Sequence, residues 1–356
     1  MMERLLKNIA PWLTGDGPEA EIVFSSRLRL ARNLEGHNFS RRLTPDLRRR
    51  LAGEIEDGVR RAEAVRDPLV FRLEEVEPLD RLFLLERHLI SRELSPEGQG
   101  GVMVGGGEVV SLMINEEDHI RVQVIRSGLS LEQAWEEIDR VDSRLERVLP
   151  FATADDLGYL TACPSNVGTG MRASVMMHLP GLVLQRQIGK IIQALGKLGL
   201  AARGLYGEGS PASGNIFQVS NQATLGKSER EIVCDLDRIV KKIIVHERTS
   251  RRQLLDRRPL KLEDQIFRAR SILGQARLIT SEEAIGLLSL LRMGVDLGIL
   301  EAIPRRTLNQ IFIQSQPAHL QKLAGSALTP EKRDALRARL IRERLAQTRK
   351  EEGKNV

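Results

Sequence analysis

The hydrophobic pattern divides the chain into two regimes. From about residue 20 to 245, extended runs alternate with helical stretches, and nearly all the glycine-rich turns fall here. Beyond about 246 the chain reads as helix after helix, with few strand signals. In the first regime residues 22–29 (IVFSSRLR) and 111–125 (SLMINEEDHIRVQVI) read as strands, rich in β-branched or alternating positions and bounded by turn residues. Gly105, Gly106 and Gly107 precede the second run and mark a hairpin turn. Further strands are expected over 157–162, 200–205 and 215–220. Ser130 with Gln133 writes a capping box for a helix running to Leu149, and Ser228 with Glu231 writes another for a helix to about Arg252. Gly226-Lys227-Ser228 has the ending of a Walker motif, but Asn221 stands where its first glycine belongs, so the triplet reads as a helix start. In the second regime Thr280 with Glu283 is a further capping box, and Thr329 with Pro330 opens a long basic helix to about Lys350.

Composition narrows the class. At 356 residues, 41% hydrophobic and 29% charged, the chain can bury a sizeable core in one large domain or two ordinary ones. No stretch approaches the roughly 18 to 20 apolar residues needed to cross a bilayer, so no membrane segment is expected. The N-terminal MMERLLKNIAPWL is amphipathic and lacks a small-residue cleavage site, which makes it part of the fold and not a leader. Cys163 and Cys234 lie far apart and form no disulfide framework, which points to a reducing cytoplasm. A net charge of +6 invites nucleic acid, yet aromatics are only 3% and basic residues interleave with acids. Direct nucleic-acid binding is therefore not expected, and the arginines suit nucleotide phosphates or a solvated surface.

Several polar residues suit transfer of a phosphoryl group to a guanidinium. That group stays protonated up to a pKa above ~12, so a carboxylate must clamp its planar fork and take a proton before nitrogen can attack. Fixed positive charge and magnesium must meanwhile stabilise the triphosphate. Arg27 and Arg29, two apart on a strand, face the same way. Glu117, His119 and Arg121 alternate on the second strand and share one face, which places a candidate base beside a candidate phosphate ligand. Arg172 follows a turn-rich segment, 163–170, read as ending at a helix start. Arg203 begins a glycine-rich loop, 203–214, that contains Glu208. Each item alone has a blander reading: a solvated strand face, a polar turn, a buried apolar cysteine, an ordinary loop.

Together the strings SSRLRLARN (25–33), INEEDHIR (114–121), LGYLTACPSNVGTGMRAS (157–174), RGLYGEG (203–209) and QVSN (218–221) resemble the phosphagen kinase family of creatine and arginine kinases, in the family's order. The resemblance implies that Arg27, Arg29, Arg121, Arg172 and Arg203 bracket the phosphates of ATP, with Mg2+ carried by the nucleotide and no metal held by the protein. It implies that Glu117 holds and deprotonates the guanidinium, that Glu208 is a second acceptor-side carboxylate, and that Cys163 lies beside the guanidinium as a thiolate. His88 corresponds to a histidine near the adenine. The family's usual helical domain ahead of the first catalytic arginine is not expected, since that residue is already Arg27. The added helices after 246 instead resemble those of the bacterial protein-arginine kinases (McsB type), in which they carry a phosphoarginine pocket matched here by Arg333 and Asp334. The bland reading of that pair is an ordinary charge pair on a solvated helix.

The expected fold is thus α+β: a phosphagen-kinase-like catalytic domain over 1–245, an antiparallel sheet flanked by helices, and an all-helical domain over 246–356 for phosphoarginine or protein-substrate binding. The expected activity is phosphorylation of arginine in proteins. Two rivals stand beside it, a small-molecule guanidino kinase and a non-catalytic phosphoarginine reader. The resemblance further implies protein substrates (a heat-shock repressor, unfolded proteins), a zinc-binding activator, a Clp-type unfoldase, a stress role and a homodimer.

Overall fold

The structure is a computed structural model, and it describes residues 1–94, 99–204, 213–301 and 303–352. Ten strands are described: β1 (Val23–Arg32), β2 (Leu69–Arg72), β3 (Gly101–Val104), β4 (Val110–Ile114), β5 (Ile120–Ser127), β6 (Thr153–Ala154), β7 (Gly158–Tyr159), β8 (Met171–His178), β9 (Leu200–Gly204) and β10 (Ile216–Asn221). Eight of them form one sheet in the order β2-β3-β4-β5-β1-β8-β10-β9, antiparallel at every described pairing; β6 and β7 make a separate ribbon. The central strand β1 is therefore flanked by β5 and β8, which come from well separated parts of the chain.

Twelve α-helices are found among the described residues. The first six are α1 (Met2–Lys7), α2 (Pro45–Arg61), α3 (Pro78–Glu86), α4 (Leu131–Glu146), α5 (Pro180–Leu184) and α6 (Ile188–Lys197). The rest are α7 (Glu229–Arg257), α8 (Pro259–Gln275), α9 (Ser281–Asp296), α10 (Arg305–Gln314), α11 (Pro317–Ala324) and α12 (Pro330–Glu352). One face of the sheet, carrying Leu28, Leu30, Val122, Val124, Ala173, Val175 and Val219, packs on apolar residues of α2, α4 and α7. The alternation of each strand then sends its intervening polar residues to the other face. A second core joins α8, α9, α10 and α12 through Ile266, Leu291, Ile311 and Ile341.

The hairpin at Gly105–Gly107 forms between β3 and β4, and the Ser228–Glu231 capping box is complete in both directions. Four local expectations are corrected. The run 111–125 is two strands: Asn115 adopts a left-handed φ of 54°, and its side-chain amide donates to the carbonyls of Arg48 and Gln99, reversing the chain. Ser130 opens α4 without capping it, because Ser26 Oγ accepts its amide proton and its own hydroxyl donates to Ser127 O. Residues 157–162 pair only at Gly158–Tyr159. Arg172 follows its turn-rich segment onto strand β8, not a helix. The compositional change at 245/246 falls inside α7.

The C-terminal helices are tied to the sheet region by buried polar contacts. Glu247 of α7 caps α5 through Gly181 N and Leu182 N at 2.8 and 2.9 Å and holds Arg251 Nε at 2.7 Å. Glu86 of α3 accepts from Ala318 N and His319 N at the start of α11, at 2.7 and 2.9 Å. Trp12, Phe24, Ile125, Met176 and Ile216 meet Ile285, Phe312 and Ile313 in a shared apolar cluster that covers one end of the polar sheet face.

Candidate active site

Register assembles the site. Arg29 stands opposite Arg172 on β8 and Gln123 on β5; Arg27 stands opposite Ser174; Ala31 stands opposite Arg121. Residues paired across antiparallel strands share a face, as do residues two apart. Arg27, Arg29, Arg121 and Arg172 therefore crowd the same face, away from the helix-packed core. On β10, Gln218 pairs with Arg203 of β9, so the fifth arginine joins that face at its edge.

Arg27 Nη2 donates to Gln218 Oε1 at 3.2 Å and Arg172 Nη2 to Ser220 Oγ at 3.1 Å, both neutral acceptors. Burial, then repulsion from Arg121 and Arg172, holds the Arg27 pKa down at about 10. Burial and the neighbours Arg27, Arg121 and Arg172 push the Arg29 pKa well below its usual value, against the pull of Glu116, and Arg29 Nε is buried with no acceptor among the described residues. Such crowding is costly without an anion, so this face is built to receive one. Arg121 has a close counter-ion: Nη1 binds both Glu116 oxygens at 2.5 and 2.6 Å.

Glu116 and Glu117 sit in the β4–β5 turn with opposite tasks. Burial acts to raise the Glu116 pKa, but Arg121 and the Ser91 hydroxyl prevail and lower it. Glu117, half-buried, is raised, first by burial and then by the charge of Glu116. Arg121 pulls the other way, as does, more weakly, Arg41, an exposed residue whose Nη2 lies 4.0 Å from Glu117. A carboxylate with raised proton affinity beside a cationic face is suited to act as a base. Because the chain reverses here, Glu117, His119 and Arg121 do not lie along one strand. His119 turns inward: Nδ1 accepts from Leu34 N at 3.0 Å, and burial pulls its pKa down to about 4.

Asp118 then links the turn to the thiol loop. It is fully buried, and its Oδ1 accepts from Asn33 Nδ2 and from Ala162 N, both at 2.7 Å. Ala162 precedes Cys163, whose Sγ lies 3.0 Å from Ser165 Oγ. The glycines of the following GTG are required by space. A Cβ at Gly168, φ 110°, would stand 2.4 Å from Thr224 O, and one at Gly170 would stand 2.6 Å from Ala31 O.

His88 also reaches this face. It follows α3 with φ 60°, lies edge-on to Trp12 at 5.1 Å, and lines a small cleft with Ser25, Arg27, Ser174, Met176 and Gln218. Burial, with Arg27 and Arg29 nearby, drops its pKa to about 3, so it is neutral. Glu208 lies outside the described residues. Arg333 and Asp334 stand apart, on α12. Arg333 Nη1 donates to Leu328 O at 3.2 Å, and Asp334 Oδ1 holds the buried Arg337. Both are half-buried, not fully solvated.

Sequence reasoning missed Gln218, Ser220, Asp118 and Arg32. Arg32 binds Asp142 of α4 in bidentate fashion and lies 3.4 Å over the Tyr159 ring, pinning β1 to α4 and the β6–β7 ribbon. The alternation of QVSN carried a signal for Gln218 and Ser220, which sit two apart. Among the described residues no cluster of three or more His, Cys, Asp or Glu is placed to hold a metal.

This fold belongs to a known class. Residues 56–250 match the description "ATP:guanido phosphotransferase, C-terminal catalytic domain", and the chain belongs to that family. Among solved structures, lombricine kinase aligns with TM-score 0.55 and 26% identity over 70% of each chain. The duplicated taurocyamine kinase of Schistosoma mansoni aligns with TM-score 0.56 and 26% identity, over 72% of this chain and 38% of that one. Residues 259–355 match "Protein-arginine kinase McsB C-terminal domain". Along its length the chain is 50% identical to the Protein-arginine kinase of Symbiobacterium thermophilum, covering 94% of this chain and 96% of the relative. It is 45% identical to that of Bacillus cereus, covering 95% and 96%.

Proposed function

We propose that the arginine face of the sheet binds the phosphates of ATP and that Glu117 clamps and deprotonates a guanidinium presented by another protein. The chain is an ATP-dependent protein-arginine kinase. The observation that carries the site assignment is the close packing of Arg27, Arg29, Arg121 and Arg172 on one face beside a carboxylate whose proton affinity is raised.

In the proposed step a guanidinium nitrogen loses a proton to Glu117 and its lone pair attacks the γ-phosphorus. The P–N bond forms as the bond to the β–γ bridging oxygen breaks, and ADP leaves with that electron pair. The crowded guanidinium groups stabilise charge on the phosphoryl oxygens without rearranging, since they are already desolvated and fixed. Neutral His88, in the cleft beside Arg27, suits the nucleoside end. Cys163 as a thiolate would favour the cationic acceptor, and Glu208 would supply the second carboxylate. Mg2+ would enter with the nucleotide.

Residues 1–245 would form the catalytic domain and 246–356 the domain that recognises phosphoarginine through Arg333 and Asp334. A cytoplasmic location, a homodimer, a zinc-binding activator and delivery of marked proteins to a Clp-type unfoldase complete the reading. Among the described residues no helix is long and apolar enough to cross a membrane. The test is product chemistry: after incubation with labelled MgATP, a protein substrate should carry label that hot acid removes and mild alkali spares. Label that survives hot acid refutes transfer to a guanidinium, and label confined to free arginine refutes the protein acceptor.

A further inference from the structure

Strand β10 runs beside the arginine face and supplies it with acceptors. Arg27 of β1 stands opposite Ser174 of β8, and Ser174 stands opposite Ser220 of β10. Two residues along the same face, Met176 of β8 stands opposite Gln218, and Gln218 stands opposite Arg203 of β9. Arg27 therefore has to reach diagonally across β8 to touch β10. It does so, donating from Nη2 to Gln218 Oε1 at 3.2 Å. Gln218 is half-buried and lines the small cleft shared by Arg27, His88 and Ser174.

The neutrality of this acceptor is its main property. Burial and the charges of Arg121 and Arg172 all act against the protonated form of Arg27. A carboxylate partner would offset part of that cost. Glutamate has the length of glutamine, and at 218 it would lie between Arg27 and Arg203, two arginines of the same face. The amide in its place is thus a choice of charge and not of size. A carboxylate would cancel one positive charge of the face and repel an incoming phosphate at short range. An amide oxygen fixes the direction of the Nη2 donor and leaves the charge of Arg27 whole.

We propose that Gln218 is a positioning residue for phosphoryl transfer, whose neutral amide oxygen aims Arg27 at the triphosphate without neutralising it. This rests on the assignment of the arginine face to the phosphates of ATP. Gln218 acts through Arg27 and does not itself touch the reacting atoms. Its charge state sets how strongly the face attracts a polyanion, and its hydrogen bond sets how well Arg27 is aimed.

Two substitutions in the full chain separate these contributions. Gln218→Glu adds a negative charge where Arg27 is held. An opposing unit charge about 8 Å from the phosphates, at an effective dielectric of about 20, corresponds to about 10- to 100-fold weaker ATP binding. ADP, with less charge, should lose less than ATP. The denaturant midpoint should hold or rise, because the new carboxylate relieves the crowding of cations. Gln218→Met keeps the length and removes the acceptor without adding charge. Its ATP affinity should stay within a few-fold, while turnover falls by roughly 10- to 100-fold as Arg27 loses its aim.

Calorimetric binding of ATP and ADP, turnover on a protein substrate and denaturant unfolding give the readouts. Unchanged ATP affinity in Gln218→Glu overturns the proposal, as does a loss of affinity that comes with a lower denaturant midpoint, the mark of a packing role. Should the glutamate variant fail to fold, Gln218→Met still decides, and full turnover in it overturns the proposal. Arg27→Met is the control for the underlying site assignment. If it binds ATP as well as the wild type, the phosphate face itself is misassigned. If it binds ATP poorly while Gln218→Glu binds it normally, only the role given to Gln218 falls.

Discussion

Replacing Glu117 with Gln tests the proposed site most directly. The amide keeps the shape of the side chain and removes its charge and proton affinity. Loss of a general base costs about 100- to 10,000-fold in rate, or roughly 2.7 to 5.5 kcal/mol of barrier at 1.36 kcal/mol per decade. Stability should hardly change. Among the described residues the ion pair of Glu117 is with Arg41 at 4.0 Å, and Arg41 is 78% exposed, so that pair contributes at most about 1 kcal/mol. Nucleotide affinity should stay within a few-fold, since Arg27 and Arg172 bond to Gln218 and Ser220 and Arg121 is held by Glu116. The pH profile adds a second readout. A base works only when ionised, and burial with the charge of Glu116 raises the Glu117 pKa above 4.5. Activity of the wild type should therefore fall as pH drops through a value above that of a free glutamate, and this acid limb should vanish in the variant. Turnover on a protein substrate and calorimetric ATP binding, each across pH, are the assays. Near-normal turnover, or an unchanged acid limb in the residual activity, would remove Glu117 from the mechanism.

Three further outcomes are expected. Cys163→Ser should keep partial activity, because the thiol acts by charge and not by accepting the phosphoryl group; mass spectrometry that traps a phosphocysteine would refute this. Asp118→Ala strands two donors, Ala162 N and Asn33 Nδ2. At about 1–3 kcal/mol for each unsatisfied buried group, the denaturant midpoint and turnover should both drop, whereas Asp118→Asn keeps an acceptor and should lose less; equal effects of the two would count against the link. Changing Arg333 and Asp334 together to alanine should weaken phosphoarginine binding while leaving ATP binding intact, and equal affinity by calorimetry would return the pair to an ordinary helix surface.

Much of the site could be read from local pattern. Alternation in SSRLR was enough to aim Arg27 and Arg29 the same way, since side chains of a strand repeat every two residues. The Ser228–Glu231 box and the triple glycine hairpin also followed from neighbours in sequence, because each depends on groups within a few residues. The reversal at Asn115 did not, because its amide is satisfied by carbonyls of Arg48 and Gln99, far back in the chain. The unused cap at Ser130 has the same origin: Ser26, on β1, accepts its amide proton before any helical geometry can. Asp118, Gln218 and Arg32 likewise show their purpose only against partners brought close by strand order. Sequence by itself determined the alternation of β1, the shared face of Arg27 and Arg29, the helix start at Ser228, and the family to which the strings point. Tertiary structure alone decided that the acidic run turns back on itself, which of its carboxylates neutralises Arg121 and which keeps a raised proton affinity, and how the thiol loop is tied to them. Face and period are properties of adjacent residues, whereas hydrogen-bond satisfaction and pKa depend on whatever the fold packs against each buried group.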